Sequence, residues 1–244
     1  MTPTPPGPSR QPERIAGMFN AIARRYDFLN HLLSAGFDRR WRARGLAALH
    51  LTGRETLLDV CTGTADVALG AVANTPGAAR VVGVDFAGEM LALGREKVRQ
   101  RYADGRITLV RGDASHLPVA DRSVDAVTVA FGIRNVQDQP AACAEMARVL
   151  RPGGRLAILE FGLPRLVGVR QAYLWYFERV LPRVGGLISK DAAAYSYLPA
   201  SVGAFAPPHE FVTILRQAGF QDVNAVPLTW GIVYLYSAQT PSLR

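Results

Sequence analysis

Thr56-Leu57-Leu58-Asp59-Val60-Cys61-Thr62-Gly63-Thr64-Ala65-Asp66 is a short apolar run closed by a glycine turn, and the residues that follow, up to Asn74, continue with helical periodicity. A strand that opens through a glycine turn directly into a helix is half of a βαβ unit. The same alternation recurs downstream. Apolar runs at 56–60, 80–85, 107–111, 123–130 and 155–161 predict five strands, and the periodic stretches at 66–74, 88–102 and 140–150 predict the helices between them. Pro152-Gly153-Gly154 stops the last of these helices. Strands alternating with helices of this length predict an α/β fold around a parallel, doubly wound sheet. Two further strands, at 221–227 and 229–238, are separated only by a tight connection at Pro227. That connection is too short for a parallel crossover, so the final strand is expected to run antiparallel to its neighbours. Parallel strands ending in one antiparallel hairpin are similar to the class I, Rossmann-like methyltransferase fold.

Two segments fall outside the alternation. Residues 13–33 and 38–49 read as helices before the first strand, and 167–184 with 191–203 read as helices inserted before the hairpin. Segments that follow the carboxyl ends of strands lie over the crevice where open α/β sheets bind ligands. The expected organisation is therefore a proline-rich, disordered leader at 1–12 and one domain at 13–244. Within that domain, 13–50 forms a helical lid and 167–204 a helical insertion.

Composition narrows the class. The chain has 244 residues, 49% of them apolar, which is enough for one core without disulfides or metals. Cys61 and Cys143 lack metal-ligand or redox spacing, and the four histidines, at 31, 50, 116 and 209, are scattered, so no metal is expected. The reading is a cytoplasmic protein, with no apolar run long enough to span a bilayer and no secretory signal at its start. The net charge of +8 comes almost wholly from arginine, since Lys97 and Lys190 are the two lysines. Such a charge attracts nucleic acid, anionic lipid and acidic ligands alike, or reflects only a bias in composition.

The ends of the first three strands carry the candidate ligand contacts. The first turn supplies Asp59 and Gly63, beside a helix N-terminus with unpaired N–H donors. A dinucleotide enzyme needs Gly-x-Gly-x-x-Gly here to admit a pyrophosphate, and this turn has Gly63 alone. The second strand ends at Asp85, a carboxylate able to accept two ribose hydroxyls in a nucleoside or in NAD. After the third strand, Gly112-Asp113-Ala114 places a carboxylate and a small residue where an adenine amino group and ring would lie. Each residue alone has an ordinary role as turn or cap. Together they describe a nucleoside with a charged amino-acid tail and no phosphate, which is S-adenosylmethionine.

Three longer motifs are more discriminating: Tyr26-Asp27-Phe28-Leu29-Asn30-His31-Leu32-Leu33-Ser34 followed by Trp41, Phe131-Gly132-Ile133-Arg134-Asn135-Val136, and Arg148-Val149-Leu150-Arg151-Pro152-Gly153-Gly154 through Glu160. On these the chain resembles the menaquinone and ubiquinone biosynthesis C-methyltransferases from Met18 to Ala238. The resemblance implies cofactor contacts at Thr64, Asp85, Asp113 and Ala114. It also implies methylation of a ring carbon of a prenylated quinol, with demethylmenaquinol favoured over the ubiquinol precursor. That preference rests partly on Ala130, which stands where some ubiquinone-side members carry serine. Other departures are Leu29 for methionine, Asp38 for histidine, Gly162 for serine, and Thr62 and Ala65 within a usually glycine-rich turn.

Methyl transfer to a quinol carbon needs an ionised ring hydroxyl. Arg134 is the expected partner of that phenolate, Asn135 of the second ring oxygen, and Tyr26 the group that orients the ring or relays its proton. A water activated by Asp27 or Asp113 is the fallback base. The stretch 167–187 mixes Tyr173, Trp175, Tyr176, Phe177 and Leu181 with Arg170, Arg179 and Arg183, and reads as a helix packed on the domain or lying at an anionic membrane surface. A nucleic-acid methyltransferase, a non-enzymatic lipid- or RNA-binding module and a nicotinamide dehydrogenase are the rivals. The first lacks its Asn/Asp-Pro-Pro-Tyr/Phe segment after the fourth strand, and the last its glycines. Oligomeric state is left open.

Overall fold

The structure, a computed structural model, describes residues 11–34, 36–74, 80–164, 166–176, 179 and 192–242. The leader at 1–10 and most of 177–191 lie outside the described residues. Two helices, α1 (Pro12–Leu33) and α2 (Phe37–Ala48), precede the sheet. Then come β1 (Thr56–Val60), α3 (Asp66–Asn74), β2 (Arg80–Asp85), α4 (Gly88–Gln100), β3 (Ile107–Arg111), β4 (Val124–Ala130), α5 (Gln139–Val149) and β5 (Leu150–Phe161). The chain continues through α6 (Val167–Trp175), α7 (Ala192–Gly203), α8 (Pro208–Gln217), β6 (Gln221–Leu228) and β7 (Val233–Gln239).

The seven strands form one sheet in the order β3-β2-β1-β4-β5-β7-β6. β1 to β5 are parallel, and β7 runs antiparallel to both β5 and β6, as expected for a strand reached through a tight hairpin. The order reverses between β1 and β4, which makes the carboxyl ends of these two central strands the topological switch point. Alternation along the strands divides the core between the two faces of the sheet. Leu58 and Val60 pack with Ala142, Cys143 and Met146 of α5 and with Phe211 and Leu215 of α8. Leu57 faces the other way, toward Trp41, Leu46, Val67, Ala68 and Val98. Trp41 fixes α2 to the sheet: its indole N–H donates to Thr229 Oγ1 at 2.8 Å, and its ring meets Phe131 and Phe161 edge-on.

Three local differences from the sequence expectation have physical causes. Helix α8 was not anticipated, because Pro207-Pro208 and Gly219 punctuate the segment. Proline at the first helical position is compatible with a helix start, and Phe211 and Leu215, both fully buried, sit one turn apart on its inner face. Strand β5 begins at Leu150, paired with Val124, rather than at 155; a register shift and Gly153, at φ +75°, absorb the Pro-Gly-Gly segment within the strand. The β6–β7 reversal falls at Thr229–Gly231, not at Pro227. Pro227 pairs with Tyr234 on an edge strand, where its missing N–H breaks nothing.

Candidate active site

A cavity of about 530 Å3 opens at the carboxyl ends of β1, β2, β3 and β4. The backbone that shapes it is tightly bent. Gly63 has φ +56°, and three residues that carry a Cβ, Cys61, Ala65 and Phe131, also lie in the left-handed region at the ends of the two central strands. Such conformations cost roughly 1–3 kcal/mol each and persist where surrounding contacts fix them. The strand ends are also close: a Cβ on Gly132 would stand 2.3 Å from Cys61 Cβ.

Asp85 is held at the centre of the site. Its Oδ2 accepts the Gly63 N–H and its Oδ1 the Ala87 N–H, both at 2.8 Å, so the carboxylate ties the β1 turn to the start of α4. Burial pushes its pKa up against the pull of these donors. Each oxygen retains acceptor capacity toward the cavity, suited to a pair of ligand hydroxyls. Asp113 closes an Asx-turn on the Ser115 N–H at 2.8 Å, and Ala114 beside it is buried in the wall. Gly63, Asp85, Asp113, Ala114 and Asn135 thus share one cavity, with Phe86, Phe131 and Val136 as apolar surfaces. From α1, Ile15, Ala16 and Phe19 complete the lining, Phe19 packing beside Ala87 and Met90.

Charge decides what the cavity suits. In a chain of net charge +8, no lysine or arginine lines it among the described residues, whereas Asp85, Asp113 and Asp138 do. An acidic lining favours a cation and offers a phosphate nothing to pair with. A nucleoside bearing a sulfonium and an ammonium group fits this donor and acceptor set, and the single flexible glycine of the turn fits a ligand without a pyrophosphate. One histidine at the cavity and the two cysteines, Cys61 and Cys143, add no alternative chemistry. His116 is exposed at the rim, and burial together with Asp85, Asp59, Glu160 and Asp113 pushes the Cys61 thiol well up, while burial pushes Cys143 to about 12. Neither is a thiolate nucleophile at neutral pH.

Three expected site residues lie behind the cavity wall rather than on it. Asp59 is buried beneath the turn and accepts from Thr62 Oγ1 at 2.6 Å; burial raises its pKa to about 7. Thr64 points away toward α1 and α4. Its hydroxyl donates to Asp27 at 2.5 Å and accepts from Lys97 Nζ at 2.9 Å. Lys97 pairs in turn with Asp27 and with Asp66, and Arg42 pairs with Asp66 and Asp38. Although burial raises the Asp66 pKa, Arg42 and Lys97 outweigh it and hold the group below the usual carboxylate range. This network, which no motif spacing reveals, clamps α1 to the cofactor turn. It also engages both Asp27 oxygens, so Asp27 is not a candidate base.

Arg134 is a correction of the same kind. It was expected to present a free guanidinium to the crevice, but only 4% of it is exposed, and its Nη1 pairs with the fully buried Glu160 at 2.8 Å. It also donates to the Phe131 carbonyl and to Ser201 Oγ and lies 5.4 Å over the Phe161 ring. A buried carboxylate is the stronger claim on a guanidinium, since Glu160 has no other countercharge among the described residues. Asn135, by contrast, does line the cavity, and its Oδ1 accepts from the Tyr197 hydroxyl at 3.0 Å. Tyr26 lies in α1, and its side chain is outside the described residues. Tyr197, Glu160 and Lys97 are the residues that sequence reasoning missed as site components; only Glu160 fell inside a quoted motif.

The fold and the acidic cavity define a class I S-adenosylmethionine-dependent methyltransferase, and a solved S-adenosylmethionine-dependent methyltransferase from Aquifex aeolicus shares the fold at a TM-score of 0.60 and 18% identity, over 81% of this chain and 88% of that one. More narrowly, the chain belongs to the ubiE/COQ5 methyltransferase family, which matches residues 9–239, and is a C-methyltransferase. It is 46% identical to the ubiquinone/menaquinone biosynthesis C-methyltransferase UbiE of Geobacter sp. over 228 residues, 93% of this chain and 97% of that protein. It is 45% identical to a demethylmenaquinone methyltransferase of Thermus thermophilus over 92% of this chain and the whole of that protein.

Proposed function

We propose that this enzyme methylates a ring carbon of demethylmenaquinol to give menaquinol. The observation that carries the reading is the pairing of relatives at 45–46% identity along nearly the full chain with a cavity lined by both apolar side chains and the carboxylates of Asp85, Asp113 and Asp138. The cofactor supplies an electrophilic methyl group on a sulfonium. Asp85, Asp113 and Gly63 hold its nucleoside, while Phe19, Phe131 and Val136 exclude water and present an apolar surface to a quinol ring. Fixed alignment of donor and acceptor is the main catalytic resource for an in-line displacement. Asn135 donates to a ring oxygen as it ionises, and the proton leaves through water. Ala130, also in the lining, leaves this part of the wall apolar where some ubiquinone-side members bring a hydroxyl.

A long-chain quinol resides in a bilayer, and no described helix is long and apolar enough to cross one. Peripheral docking is the remaining route. Leu166, Val167, Trp175 and Trp230 are 59–70% exposed. Leu166 and Trp230 arise from segments in contact, since a Cβ on Gly231 would lie 3.6 Å from Pro164 Cα. Arg170 is exposed on the same helix, whereas Tyr173 is buried, so α6 packs by one face and presents the other. Phe177, Leu181 and Arg183 lie outside the described residues. Co-sedimentation should increase with anionic lipid, fall with salt without vanishing, and weaken in Trp175→Ala; equal binding to neutral vesicles refutes the electrostatic part. The pathway is tested by mass spectrometry of quinones from a strain lacking the protein. Accumulated demethylmenaquinone supports the reading, and an accumulated ubiquinone precursor with normal menaquinone overturns it.

A further inference from the structure

We propose that Tyr197 is a positioning residue for methyl transfer, which turns the Asn135 side chain so that its amide N–H groups, not its carbonyl oxygen, face the quinol. The proposal rests on the quinol reading above. The primary amide of asparagine has an acceptor oxygen and a donor nitrogen on opposite sides of Cγ, and which one faces a ligand is set by whatever the other one bonds. Here Oδ1 is taken by the Tyr197 hydroxyl at 3.0 Å. Tyr197 belongs to α7 and is not among the described residues that line the cavity, whereas Asn135 is. The end of the amide directed at the cavity is therefore the nitrogen.

One helix face governs this turn. Ser201, one turn beyond Tyr197, accepts from Arg134 Nε at 3.3 Å, so successive residues of the Ile133–Asn135 turn are each bonded to α7. Arg134 is further anchored by its own N–H and guanidinium on Glu160, which leaves the Asn135 χ angles as the free variable of the turn. The chemistry makes that variable matter. A quinol carbon becomes nucleophilic as its ring hydroxyl loses a proton, and a donor aimed at the oxygen stabilises the anion more than the phenol. A carbonyl oxygen in that place repels the anion instead. Loss of one preorganised donor to a developing oxyanion costs about 100- to 1,000-fold in rate, so an amide free to rotate and correctly turned part of the time should lose about tenfold.

The test is a double-mutant cycle on the full-length enzyme with S-adenosylmethionine and a short-tailed demethylmenaquinol. Tyr197→Phe should lower kcat about tenfold with the cofactor KM and melting temperature unchanged, and should move the acid limb of the kcat profile to higher pH, because the bound quinol ionises less readily. In an Asn135→Ala background the same replacement should do nothing further. Equal loss in both backgrounds, or a loss confined to KM and melting temperature, overturns the proposal. Should Tyr197→Phe fail to fold, wild type supplies a second measurement: binding of the quinol with S-adenosylhomocysteine shifts the Asn135 side-chain amide signals in 15N spectra, and unshifted signals in a quinol-bound protein overturn the proposal. A wild type that neither binds nor methylates the quinol refutes the functional reading instead. In that case the orientation of Asn135 stands or falls on whether Tyr197→Phe alters those amide signals in the cofactor-bound protein.

Discussion

Replacing Arg134 by alanine should unfold this protein more readily before it tells anything about catalysis. The structure shows why. Arg134 is the countercharge of Glu160, which is 0% exposed and among the described residues otherwise accepts from the backbone N–H groups of Arg134 and Phe161. Alanine removes the ion pair at 2.8 Å, the bonds to the Phe131 carbonyl and Ser201, and the contact over the Phe161 ring, and it strands a carboxylate in the core. Breaking one side of such a buried pair costs about 3–5 kcal/mol, a loss of order 10 °C in Tm for a domain of this size. Stability of most domains is only ~5–15 kcal/mol, so the variant is left marginal. Removing both charges should be milder, because Arg134→Met with Glu160→Gln leaves no uncompensated ion. Urea denaturation of wild type, the single variant and the double variant measures this directly. An Arg134→Ala protein with wild-type stability, or a double variant less stable than the single one, refutes the assignment of Arg134 to the Glu160 pair and returns its guanidinium to the substrate.

Asp85→Ala should weaken S-adenosylmethionine binding by roughly 1.5–3 kcal/mol, the range for a hydrogen bond to a charged group, read by calorimetry on a folded variant. Lys97→Met removes a cation that joins Asp27 of α1 to Thr64 and Asp66. With these carboxylates about a third exposed, it should cost only about 1 kcal/mol while speeding hydrogen exchange throughout α1. Asp59, at a pKa of about 7 against 3.8 when free, binds its proton more tightly in the folded state than in the unfolded chain. Its contribution therefore lowers stability as pH rises from about 4 to 7 and is level above that, by up to about 4 kcal/mol. Asp59→Asn, which keeps an acceptor for Thr62, should raise Tm at pH 8 and flatten that part of the profile in thermal melts.

The sheet was legible because its strands are short, apolar and separated by helices of the right length, signals carried by local sequence. What escaped was non-local. Helix α8 has a clear Phe211–Leu215 stripe but begins at a proline pair that reads equally as a loop. Strand β5 starts at Leu150 because β4 offers Val124 as a partner, a fact no window around Pro152 contains. In the site, the positions of Asp85, Asp113 and Asn135 follow from strand ends, and the structure brings all three to one cavity. The directions of Thr64 and Arg134 depend on Asp27, Lys97 and Glu160, which are distant in sequence.

These inward-turned residues explain how the turns hold their shape. Cys61, Ala65 and Phe131 occupy left-handed backbone conformations in the turns that follow the two central strands. The constraint comes from behind. Asp59 grips Thr62, the Asp27–Lys97 pair grips Thr64, and Arg134 grips the Phe131 carbonyl while anchored on Glu160. Each of these groups immediately adjoins a strained residue or bonds it directly. The polar residues of the strand ends thus divide by direction: Asp85, Asp113 and Asn135 line the cavity, and Asp59, Thr64 and Arg134 hold the backbone that aims them. A motif records both sets side by side, because methyl transfer that depends on alignment needs the aim kept as strictly as the contact.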